Sequence, residues 1–476
     1  MSLVRQEFLS LREILDVTGG ALLAGDEQVR PLGISTDTRT LIPGQMFVAL
    51  RGERFDGHDF AASALAKGAC GVLMERGRGS ALGQIPQYPG AALVEVQDTL
   101  FALGEIAGEW RRLHNATVVG ITGSNGKTTT KEMLASILER SRSVLKNKGN
   151  LNNRIGLPLT LLELRHHHKA VVLEMGMSEP GEIARLCRIA LPQVGLITQV
   201  ARAHLEGLGS IEGVAREKGE LFHALGAQGT ALVNLDDPWV VRLASRSEAH
   251  KVSFGFSQGA MARAVEVEPF RDKGARFRLE LAGESVWVCL KAHGIPMVRG
   301  ALAAAAAAWV LGAPLKDIKE ALEDFRAFGG RLHVISLPQG KVLIDDTYNA
   351  NPVSMSAALE LLCRGGSGRR VAVLGEMREL GAFTASAHRE LGETAARLGV
   401  KLLVPVGKWA SWVAEGALEA AENGDIEVRK ASNCEEAIEI LRSLISPGDR
   451  ILVKGSRAAA METVVEALKS FPAEAD

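Results

Sequence analysis

Short apolar runs bounded by turn residues occupy the first part of the chain. They span residues 46–50, 71–74 and 91–96, and glycine and proline separate them. Apolar runs of this length between such breakers predict strands. Ahead of them, the apolar residues of segment 1–20 recur at helical spacing, which predicts an amphipathic helix. The pattern therefore predicts a small α/β domain over residues 1–97.

From residue 98 the pattern becomes strand followed by helix. Residues 117–122 are an apolar run, residues 127–139 have helical periodicity, and further apolar runs follow at 170–174 and 195–200. Strands that alternate with helices predict parallel pairing, with helices on both faces of a buried sheet. We expect the catalytic core here, over residues 98–328.

The same alternation restarts after the Gly329-Gly330 pair. The predicted strands between helical segments are 342–345, 370–375, 401–407 and 450–454. Their spacing predicts a second doubly wound sheet over residues 329–476. The expected fold class is therefore α/β, with three domains.

Composition and charge narrow the class of protein. A chain of 476 residues is too long for one ordinary hydrophobic core, and usual domain sizes suggest roughly two to four units. Its 46% hydrophobic and 23% charged residues are typical of a globular protein. The formal net charge of −1 gives no overall positive field for nucleic acid or an anionic membrane surface, so we expect neither partner.

No targeting or membrane-spanning segment is predicted. The N-terminus lacks a continuous apolar stretch and a cleavage site of small residues. The longest apolar run, 301–311, is alanine-rich and far shorter than the roughly 20 residues of a bilayer span, so it predicts a packed helix. Five cysteines, far apart and odd in number, favour a reducing cytoplasm over a disulfide framework. His166, His167 and His168 precede a strand without a matching ligand pattern, which predicts a loop.

The strongest local signal is the segment 120–130, Gly-Ile-Thr-Gly-Ser-Asn-Gly-Lys-Thr-Thr-Thr, between a predicted strand and a predicted helix. Its glycines let backbone N–H groups turn toward phosphate oxygens, and Lys127 adds a full positive charge at a helix N-terminus. Thr128 can place its hydroxyl on Mg²⁺. Residue 121 is isoleucine where the strict motif has glycine. A simple connecting turn does not explain Gly-Lys-Thr at the helix mouth, so the segment predicts a nucleotide site. Its residues are Thr122, Gly123, Ser124, Asn125, Gly126, Lys127, Thr128 and Thr129.

This loop resembles that of the Mur ligases and folylpolyglutamate synthases, which replace the same glycine. Further stretches resemble the MurF type of Mur ligase: Gly-Asn-Leu-Asn-Asn-Arg-Ile-Gly-Leu-Pro at 149–158, Ala-His-Leu-Glu-Gly at 203–207 and Asp-Asp-Thr-Tyr-Asn-Ala-Asn-Pro at 345–352. Shorter matches near both ends, including Asp-Thr-Arg at 37–39 and Lys-Gly-Ser-Arg at 454–457, extend the resemblance over essentially the whole chain.

The resemblance implies a three-domain Mur ligase architecture: a domain for a UDP-sugar substrate, a central P-loop domain with a parallel sheet, and a C-terminal Rossmann-like domain. It also implies ATP and Mg²⁺ as cofactors. The implied reaction phosphorylates the terminal carboxylate of UDP-MurNAc-tripeptide, and the amino group of D-Ala-D-Ala then attacks the acyl phosphate. Closure of the domains around the substrates is expected as well.

Four residues are the expected catalytic set: Lys127, Glu174, His204 and Lys218. Glu174 ends a predicted strand, where a carboxylate can face the active-site crevice. The resemblance gives Thr128, Glu174, His204 and a carbamylated Lys218 as ligands of magnesium. Taken alone, a single histidine is usually structural, and a lysine among charged residues usually belongs to a solvated face.

Binding residues are expected in all three domains. Arg331 and Asp346 resemble residues that approach ATP on domain closure. The resemblance assigns the remaining set to the substrates: Asp37, Thr38, Arg39, Arg51, Gly52, His58, Asn150, Asn152, Asn153, Tyr348, Asn349 and Asn351. Arginine suits a diphosphate because its fork offers directed donors, and amides suit a sugar-peptide because they both donate and accept. For segment 345–352, a turn with an Asx cap is also compatible with the residues.

Two segments depart from the family pattern. Residues 294–300 read Gly-Ile-Pro-Met-Val-Arg-Gly where the family has Gly-x-His-Asn-x-x-Asn, so contacts to the base and ribose are left open. Ser178 and Glu179 replace a common Asn-His pair. Two competing functions fit the same motifs: a different Mur or folylpolyglutamate-type ligase, and a non-catalytic binder of nucleotide or wall precursor. The third residue of the acceptor peptide is open between lysine and diaminopimelate, and we expect a monomer.

Overall fold

A computed structural model describes residues 7–79, 90–269, 274–364, 366–421 and 425–471 of the chain. Within these ranges the strands form three sheets, which follow one another along the sequence. Each is covered by helices, as the alternating pattern predicts.

The first sheet has the order β1-β5-β4-β3-β2 among the described residues, and only β1 runs antiparallel to its neighbour. Ser10 caps the predicted N-terminal helix, since its side chain and that of Glu13 form a reciprocal capping box. The elements are α1 (Leu11–Thr18), β1 (Ala21–Ala24), β2 (Ile34–Ser35), β3 (Met46–Val48), α2 (Ala61–Ala66), β4 (Gly71–Glu75) and β5 (Ala92–Val96).

The phosphate loop follows β6 of the second sheet. The described order of this sheet is β14-β13-β12-β11-β10-β9-β6-β8-β7. Its elements are α3 (Thr99–Arg112), β6 (Thr117–Thr122), α4 (Lys127–Leu138), β7 (Val144–Lys146), α5 (Gly156–Leu162), β8 (Ala170–Glu174), α6 (Glu182–Ala190), β9 (Val194–Ile197), α7 (Leu205–Leu208), α8 (Ile211–Ala224), β10 (Thr230–Asn234), α9 (Pro238–Ala244), β11 (His250–Gly255), β12 (Ala262–Pro269), β13 (Ala275–Leu281), β14 (Glu284–Leu290), α10 (Ile295–Val310) and α11 (Leu315–Asp324).

The third sheet has the described order β15-β16-β20-β17-β18-β19 and is parallel except at β15. Its elements are β15 (His333–Ser336), β16 (Val342–Asp346), α12 (Pro352–Arg364), β17 (Arg370–Leu374), α13 (Thr384–Arg397), β18 (Leu402–Pro405), α14 (Ala410–Ala420), β19 (Glu427–Val428), α15 (Cys434–Leu444), β20 (Arg450–Lys454) and α16 (Glu462–Ser470).

The predicted strands 117–122, 170–174 and 450–454 match β6, β8 and β20, and other boundaries differ by a few residues. The antiparallel extension β12-β13-β14 was not predicted. Its signal is present in the sequence, because residues 275–281, Ala-Arg-Phe-Arg-Leu-Glu-Leu, alternate between apolar and charged side chains. In the structure the same positions alternate between buried and half-buried, as expected for a sheet with one covered face. His166, His167 and His168 lie in a connection without helix or strand, as predicted.

The alanine-rich run belongs to α10, where every residue from Ala301 to Ala308 is at most 1% exposed. Its small side chains let α10 pack closely against α4, the helix that follows the phosphate loop. In the described ranges, no helix combines the length and apolar character needed to cross a bilayer. The predicted packed helix is therefore confirmed.

A close helix contact in the third domain supplies a stability test. A Cβ added to Gly392 of α13 would lie 1.9 Å from the Val413 carbonyl oxygen of α14. We expect Gly392→Ala to destabilise the protein by about 1–3 kcal/mol, because backbone must move apart. Gly108→Ala in α3 is the control, since its Cβ would meet its nearest atom at 3.7 Å. Thermal unfolding should separate the two variants, and equal melting temperatures would contradict the packing argument.

Candidate active site

A cleft of about 460 Å³ lies between the second and third domains. It forms where parallel strands of both sheets end: Glu174 is the last residue of β8, Asp346 of β16 and Lys454 of β20. Carboxyl ends of parallel strands are the usual place for a ligand crevice in such sheets. The cleft also contains predicted residues from the loop and the connections: Ser124, Asn125, Gly126, Lys127, Thr128, Thr129, Asn150, Asn152, Asn153, His204, Arg331, Tyr348, Asn349 and Asn351.

Two glycines give the phosphate loop its shape. Gly126 caps α4 with φ of 82°, a left-handed conformation that side chains rarely adopt. A Cβ on Gly123 would lie 1.9 Å from Thr198 Oγ1, so the loop can approach β9 this closely only with glycine there. The open N-terminus of α4 therefore points into the cleft, as a phosphate site requires.

The loop is braced from the connection that follows β9. Ser124 N donates to Gln199 O at 2.8 Å, and Ala201 N donates to Ser124 Oγ at 2.9 Å. Thr198 Oγ1 donates to Asn125 O at 2.6 Å. These hydrogen bonds hold the loop against residues 198–201, so its remaining N–H groups are preorganised for a ligand.

Lys127 folds back over the loop. Its Nζ donates to Gly123 O at 2.8 Å. Desolvation lowers the pKa of Lys127, while the negative charge of Glu174 opposes that change and the positive charge of Arg331 adds to it. A phosphate that replaced the carbonyl as its partner would bring a full negative charge to this ammonium group.

Glu174 is held from several directions. Its Oε2 accepts from Thr128 Oγ1 at 2.6 Å and its Oε1 accepts from Asn152 Nδ2 at 2.7 Å. The buried side-chain amide of Asn147 donates to the Glu174 carbonyl and accepts from the Glu174 backbone N–H, each at 2.9 Å. Asn147 therefore fixes the backbone at Glu174, while Thr128 and Asn152 hold the carboxylate, and Asn147 was not among the predicted residues.

The donors of this region fit Mg²⁺. The Thr128 hydroxyl and the Glu174 carboxylate are adjacent oxygen donors, and Mg²⁺ prefers oxygen ligands, with one or two carboxylates completed by water and substrate phosphates. The described residues contain no group of three or more His, Cys, Asp or Glu side chains placed to hold a metal. At an Mg²⁺ bound by Thr128 and Glu174, water and substrate phosphates would supply the remaining oxygen ligands.

Lys218 lies beneath the cleft and does not line it. The residue is 1% exposed, and its Nζ donates to the Met177 sulfur at 3.9 Å. Burial, reinforced by the positive charge of Lys127, lowers the pKa of Lys218 well below its ordinary value. Burial therefore shifts Lys218 toward the neutral amine, which is the nucleophilic form.

His204 faces the third domain. Its Nδ1 hydrogen-bonds the Glu379 carboxylate, and Glu206 N donates to Glu379 O at 3.2 Å. The hydrogen bond from His204 holds the pKa of Glu379 below its usual value despite partial burial. The bond occupies one ring nitrogen and leaves Nε2 for the cleft, which His204 lines.

Arg331 reaches across the cleft from the third domain. Its Nη2 donates to Thr128 Oγ1 at 2.8 Å, and its guanidinium lies 3.8 Å from the centroid of the Tyr348 ring. Stacking on an aromatic face orients the guanidinium while leaving donors at its edge. Asn125 and Asn351 form a second bridge between the domains, since each side-chain amide donates to the other, at 3.3 and 2.7 Å.

Asp346 is paired with a lysine that was not among the predicted site residues. Lys454 Nζ lies 2.6 Å from Asp346 Oδ2 and donates to Asn349 O at 2.8 Å. The other carboxylate oxygen of Asp346 accepts from Leu332 N at 3.0 Å. The signal for Lys454 is its place at the end of a predicted strand, the same ground on which Glu174 is selected.

Several predicted substrate residues also have local structural partners. Asn153 Oδ1 accepts from Gly156 N, at the start of α5, at 2.9 Å. Asn351 Oδ1 accepts from Ser354 N at 3.0 Å, which is the Asx cap that the sequence also allowed. Asn150 is exposed, and Asn349 Oδ1 accepts from the next backbone N–H, of Ala350, at 2.9 Å.

The predicted residues of the first domain lie outside the cleft. Arg39 and Asp37 form a bidentate pair, which lowers the pKa of Asp37 to about 2, and the Thr38 carbonyl accepts from Lys67 at 2.7 Å. Arg39 is almost fully exposed and its outer donors face solvent.

Arg51, Gly52 and His58 lie in a neighbouring loop of the first domain. Arg51 pairs with Asp56 at 3.4 Å, and Gly52 N donates to the carbonyl of Phe55 at 2.9 Å. His58 is buried: its Nδ1 bonds Asp56 and its Nε2 accepts from the backbone of Glu75. Both nitrogens are therefore engaged, and His58 orders this loop. The roles of these three residues toward substrate stay predictions.

The departing segment 294–300 forms a wall of the cleft at the start of α10. Pro296, Met297 and Arg299 line it. The Arg299 guanidinium lies 5.6 Å from the centroid of the Phe256 ring, and its buried Nε has no hydrogen-bond partner among the described residues. This wall is more apolar than the family pattern implies. The positively charged side chain of Arg299 was not among the predicted site residues.

Family models match most of the chain. The model of the Mur ligase family catalytic domain matches residues 32–111, the Mur ligase middle domain matches 121–308, and the model described as Mur ligase, glutamate ligase domain, matches 330–457. The three matches follow the order of the three sheets.

Full-length relatives agree with these matches. The UDP-N-acetylmuramoyl-tripeptide--D-alanyl-D-alanine ligase of Escherichia coli (strain K12) is 39% identical over 468 residues, which cover 97% of this chain and 98% of the relative. A crystal structure of MurF from Acinetobacter baumannii superposes with a TM-score of 0.87 at 34% identity, covering 98% and 100% of the two chains. MurF ligase from Thermotoga maritima in complex with ADP gives 0.80 at 30% identity, covering 92% and 97%.

The buried ion pair in the cleft gives a second stability test. We expect Lys454→Met to destabilise the protein by about 3–5 kcal/mol, because it leaves the Asp346 carboxylate buried without its partner. The double variant Lys454→Met/Asp346→Asn removes both charges and should recover part of this loss. Chemical unfolding of wild type, both single variants and the double variant measures the coupling. Additive effects would mean that the pair does not act as a unit.

Proposed function

The chain belongs to the Mur ligase family, and on that premise we propose that it joins D-alanyl-D-alanine to UDP-N-acetylmuramoyl-tripeptide at the expense of ATP. The product is the UDP-MurNAc-pentapeptide precursor of peptidoglycan. The observation that carries the proposal is the cleft in which Lys127, Thr128 and Glu174 of one domain face Arg331 of the next. The names of the full-length relatives support this substrate pair.

The first step brings together two anions, the terminal carboxylate of the tripeptide and the γ-phosphate of ATP. Lys127 and the N–H groups at the start of α4 bind the phosphates and offset this repulsion. The carboxylate oxygen then bonds to the γ-phosphorus, the bond to the β-phosphate oxygen breaks, and ADP leaves. Because Lys127 and these N–H groups are already oriented, they stabilise the developing charge without rearranging.

The second step forms the amide. The neutral amino group of D-Ala-D-Ala attacks the acyl carbon and the bond from that carbon to the phosphate oxygen breaks. The nitrogen loses a proton, and the leaving phosphate takes up one proton overall. We assign the dipeptide to the C-terminal side of the cleft, near Tyr348, Asn349 and Asn351, and the acceptor peptide to Asn150 and Asn152. Amides suit both ligands because each can donate and accept.

Thr128 and Glu174 are the proposed ligands of a first Mg²⁺, with His204 and carbamylated Lys218 at a second. A cation held by these residues would supply positive charge to offset the negative charge of the phosphates. Arg331 stacks on Tyr348 and adds a directed donor on the opposite side of the phosphates. Asp346 holds Lys454 at the edge of the same cleft.

The remaining assignments follow from the family. We propose that residues 1–97 bind the UDP portion through Asp37, Thr38, Arg39, Arg51, Gly52 and His58. Residues 98–328 would then form the ATP-binding domain and residues 329–476 the C-terminal ligase domain. We further propose that the protein acts in the cytoplasm as a monomer, without nucleic acid or membrane insertion.

A coupled assay tests the ligase proposal directly. Purified protein is incubated with Mg-ATP, D-Ala-D-Ala and UDP-MurNAc-tripeptide carrying either lysine or diaminopimelate, while phosphate release and product mass are followed together. We expect pentapeptide product and phosphate release only when both substrates are present. The preferred acceptor then identifies the third residue of the peptide. Nucleotide binding without either signal, for both acceptors, would favour a non-catalytic binder.

A matched pair of variants ties this activity to the phosphate loop. Lys127→Met removes the cation at the start of α4 and should reduce kcat by at least about 100-fold. Lys148→Met is the control, because Lys148 is exposed and pairs with Glu163 on the surface. Activity retained by the first variant, or lost by the second, would argue against the assigned role.

We also propose that Lys218 is carbamylated. Lys131 and Lys218 are both buried, but their surroundings differ. Lys131 Nζ donates to Asn147 O at 2.5 Å, whereas Lys218 Nζ donates to the Met177 sulfur. The lowered pKa of Lys218 favours the neutral amine that CO₂ requires, and the product is an anion that can bind a cation. The carbamate forms when the amine nitrogen bonds to the carbon of CO₂ and releases a proton.

Carbon-13 NMR in labelled bicarbonate tests the modification. We expect one carbamate resonance that disappears in Lys218→Met, remains in the surface control Lys148→Met, and declines as the pH falls because carbamates then lose CO₂. Mass spectrometry of the native protein should show the same added CO₂. A free amine at residue 218 in saturating bicarbonate would contradict the proposal.

A further inference from the structure

Segment 379–383 of the third domain lies against segment 202–206 of the second, beside the cleft. Besides the two bonds between Glu379 and the 204–206 turn, the Arg202 guanidinium lies 5.7 Å from the centroid of the Phe383 ring. A Cβ on Gly381 would be 3.6 Å from the Glu206 Cα. We propose that Glu379 is a positioning residue, which sets the His204 ring for cation binding only when the third domain is docked. This proposal rests on the function proposed above.

Both partners hold unusual backbone conformations. His204 has φ of 56° and Glu379 has φ of 61°, and neither is glycine. Such conformations are disfavoured for residues with a Cβ and persist where surrounding contacts require them, often at functional sites. Here the two strained residues contact each other across a domain boundary.

The hydrogen bond selects one tautomer of the histidine. Because the Glu379 carboxylate accepts from Nδ1, the neutral ring carries its proton on Nδ1, and its lone pair is then on Nε2. A carboxylate that bonds the far nitrogen of a metal-binding histidine fixes the ring and raises its basicity. The unusual feature here is that the carboxylate comes from a different domain, 175 residues away in the sequence.

The consequence is a link between docking and cation binding. With the third domain undocked, the His204 ring loses its orienting partner and Nε2 is no longer directed into the cleft. With the domain docked, Glu174, His204 and Arg331 are presented together. The second cation would therefore bind tightly only in the conformation that also brings Arg331 to the phosphates.

Binding of Mn²⁺ in the presence of a non-hydrolysable ATP analogue tests the proposal without turnover. We expect Glu379→Ala to raise the Kd of the weaker Mn²⁺ site by about 10–100-fold, the usual effect of removing such a partner. Glu379→Gln should have a smaller effect, because its amide oxygen still accepts from Nδ1. Glu393→Ala is the control, since Glu393 pairs with Arg397 on the surface of α13.

A double-mutant cycle separates positioning from general damage. If Glu379 acts through the histidine, Glu379→Ala should add nothing to the Kd change of His204→Ala. An equal further loss in the His204→Ala background, or an unchanged Kd for Glu379→Ala alone, would overturn the proposal. Thermal unfolding confirms that each variant is folded. The ligase assay is run separately on wild type, so failure of the proposed function would be seen there and not in this cycle.

Discussion

The hydrogen bond between Arg331 and Thr128 joins the two halves of the cleft, and the rest of the site is arranged around it. The Thr128 hydroxyl accepts from the guanidinium at 2.8 Å and donates its single proton to Glu174 at 2.6 Å. A hydroxyl has one proton to give, so the direction of both bonds is fixed. Guanidinium, hydroxyl and carboxylate therefore form one chain across the domain boundary, at the mouth of the helix that receives the phosphates.

Several cationic side chains lie close together around this cleft, and each has a partner that holds it. Lys127 rests on a backbone carbonyl, Arg331 lies over the ring of Tyr348, and Lys454 is paired with Asp346. The first two partners are neutral, so an incoming triphosphate can replace or supplement them with stronger charged bonds. Lys218 is the exception, because burial favours its neutral form and makes it suited to modification.

Much of the fold was predictable because its signals are local. The Gly-Lys-Thr turn, the strands at 117–122 and 170–174 and the packed alanine-rich helix each depend on neighbours a few positions away. The antiparallel strands β12 to β14 were missed although residues 275–281 carry a clear two-residue alternation. Lys454 and Glu379 were missed for a different reason: their partners lie 108 and 175 residues away, so the sequence does not show what they pair with.

The sequence by itself determined the family through the motifs that resemble it. It determined the α/β class and the phosphate loop because glycine conformations, helix capping and strand patterns are set by adjacent residues. The tertiary structure alone decided which side chains share the cleft. It brings Arg331 to Thr128 and His204 to Glu379. It also buries Lys218 next to a sulfur atom and gives both ring nitrogens of His58 partners inside the first domain. These outcomes depend on how whole sheets pack against each other, since the position and charge environment of each group come from residues that packing alone brings near.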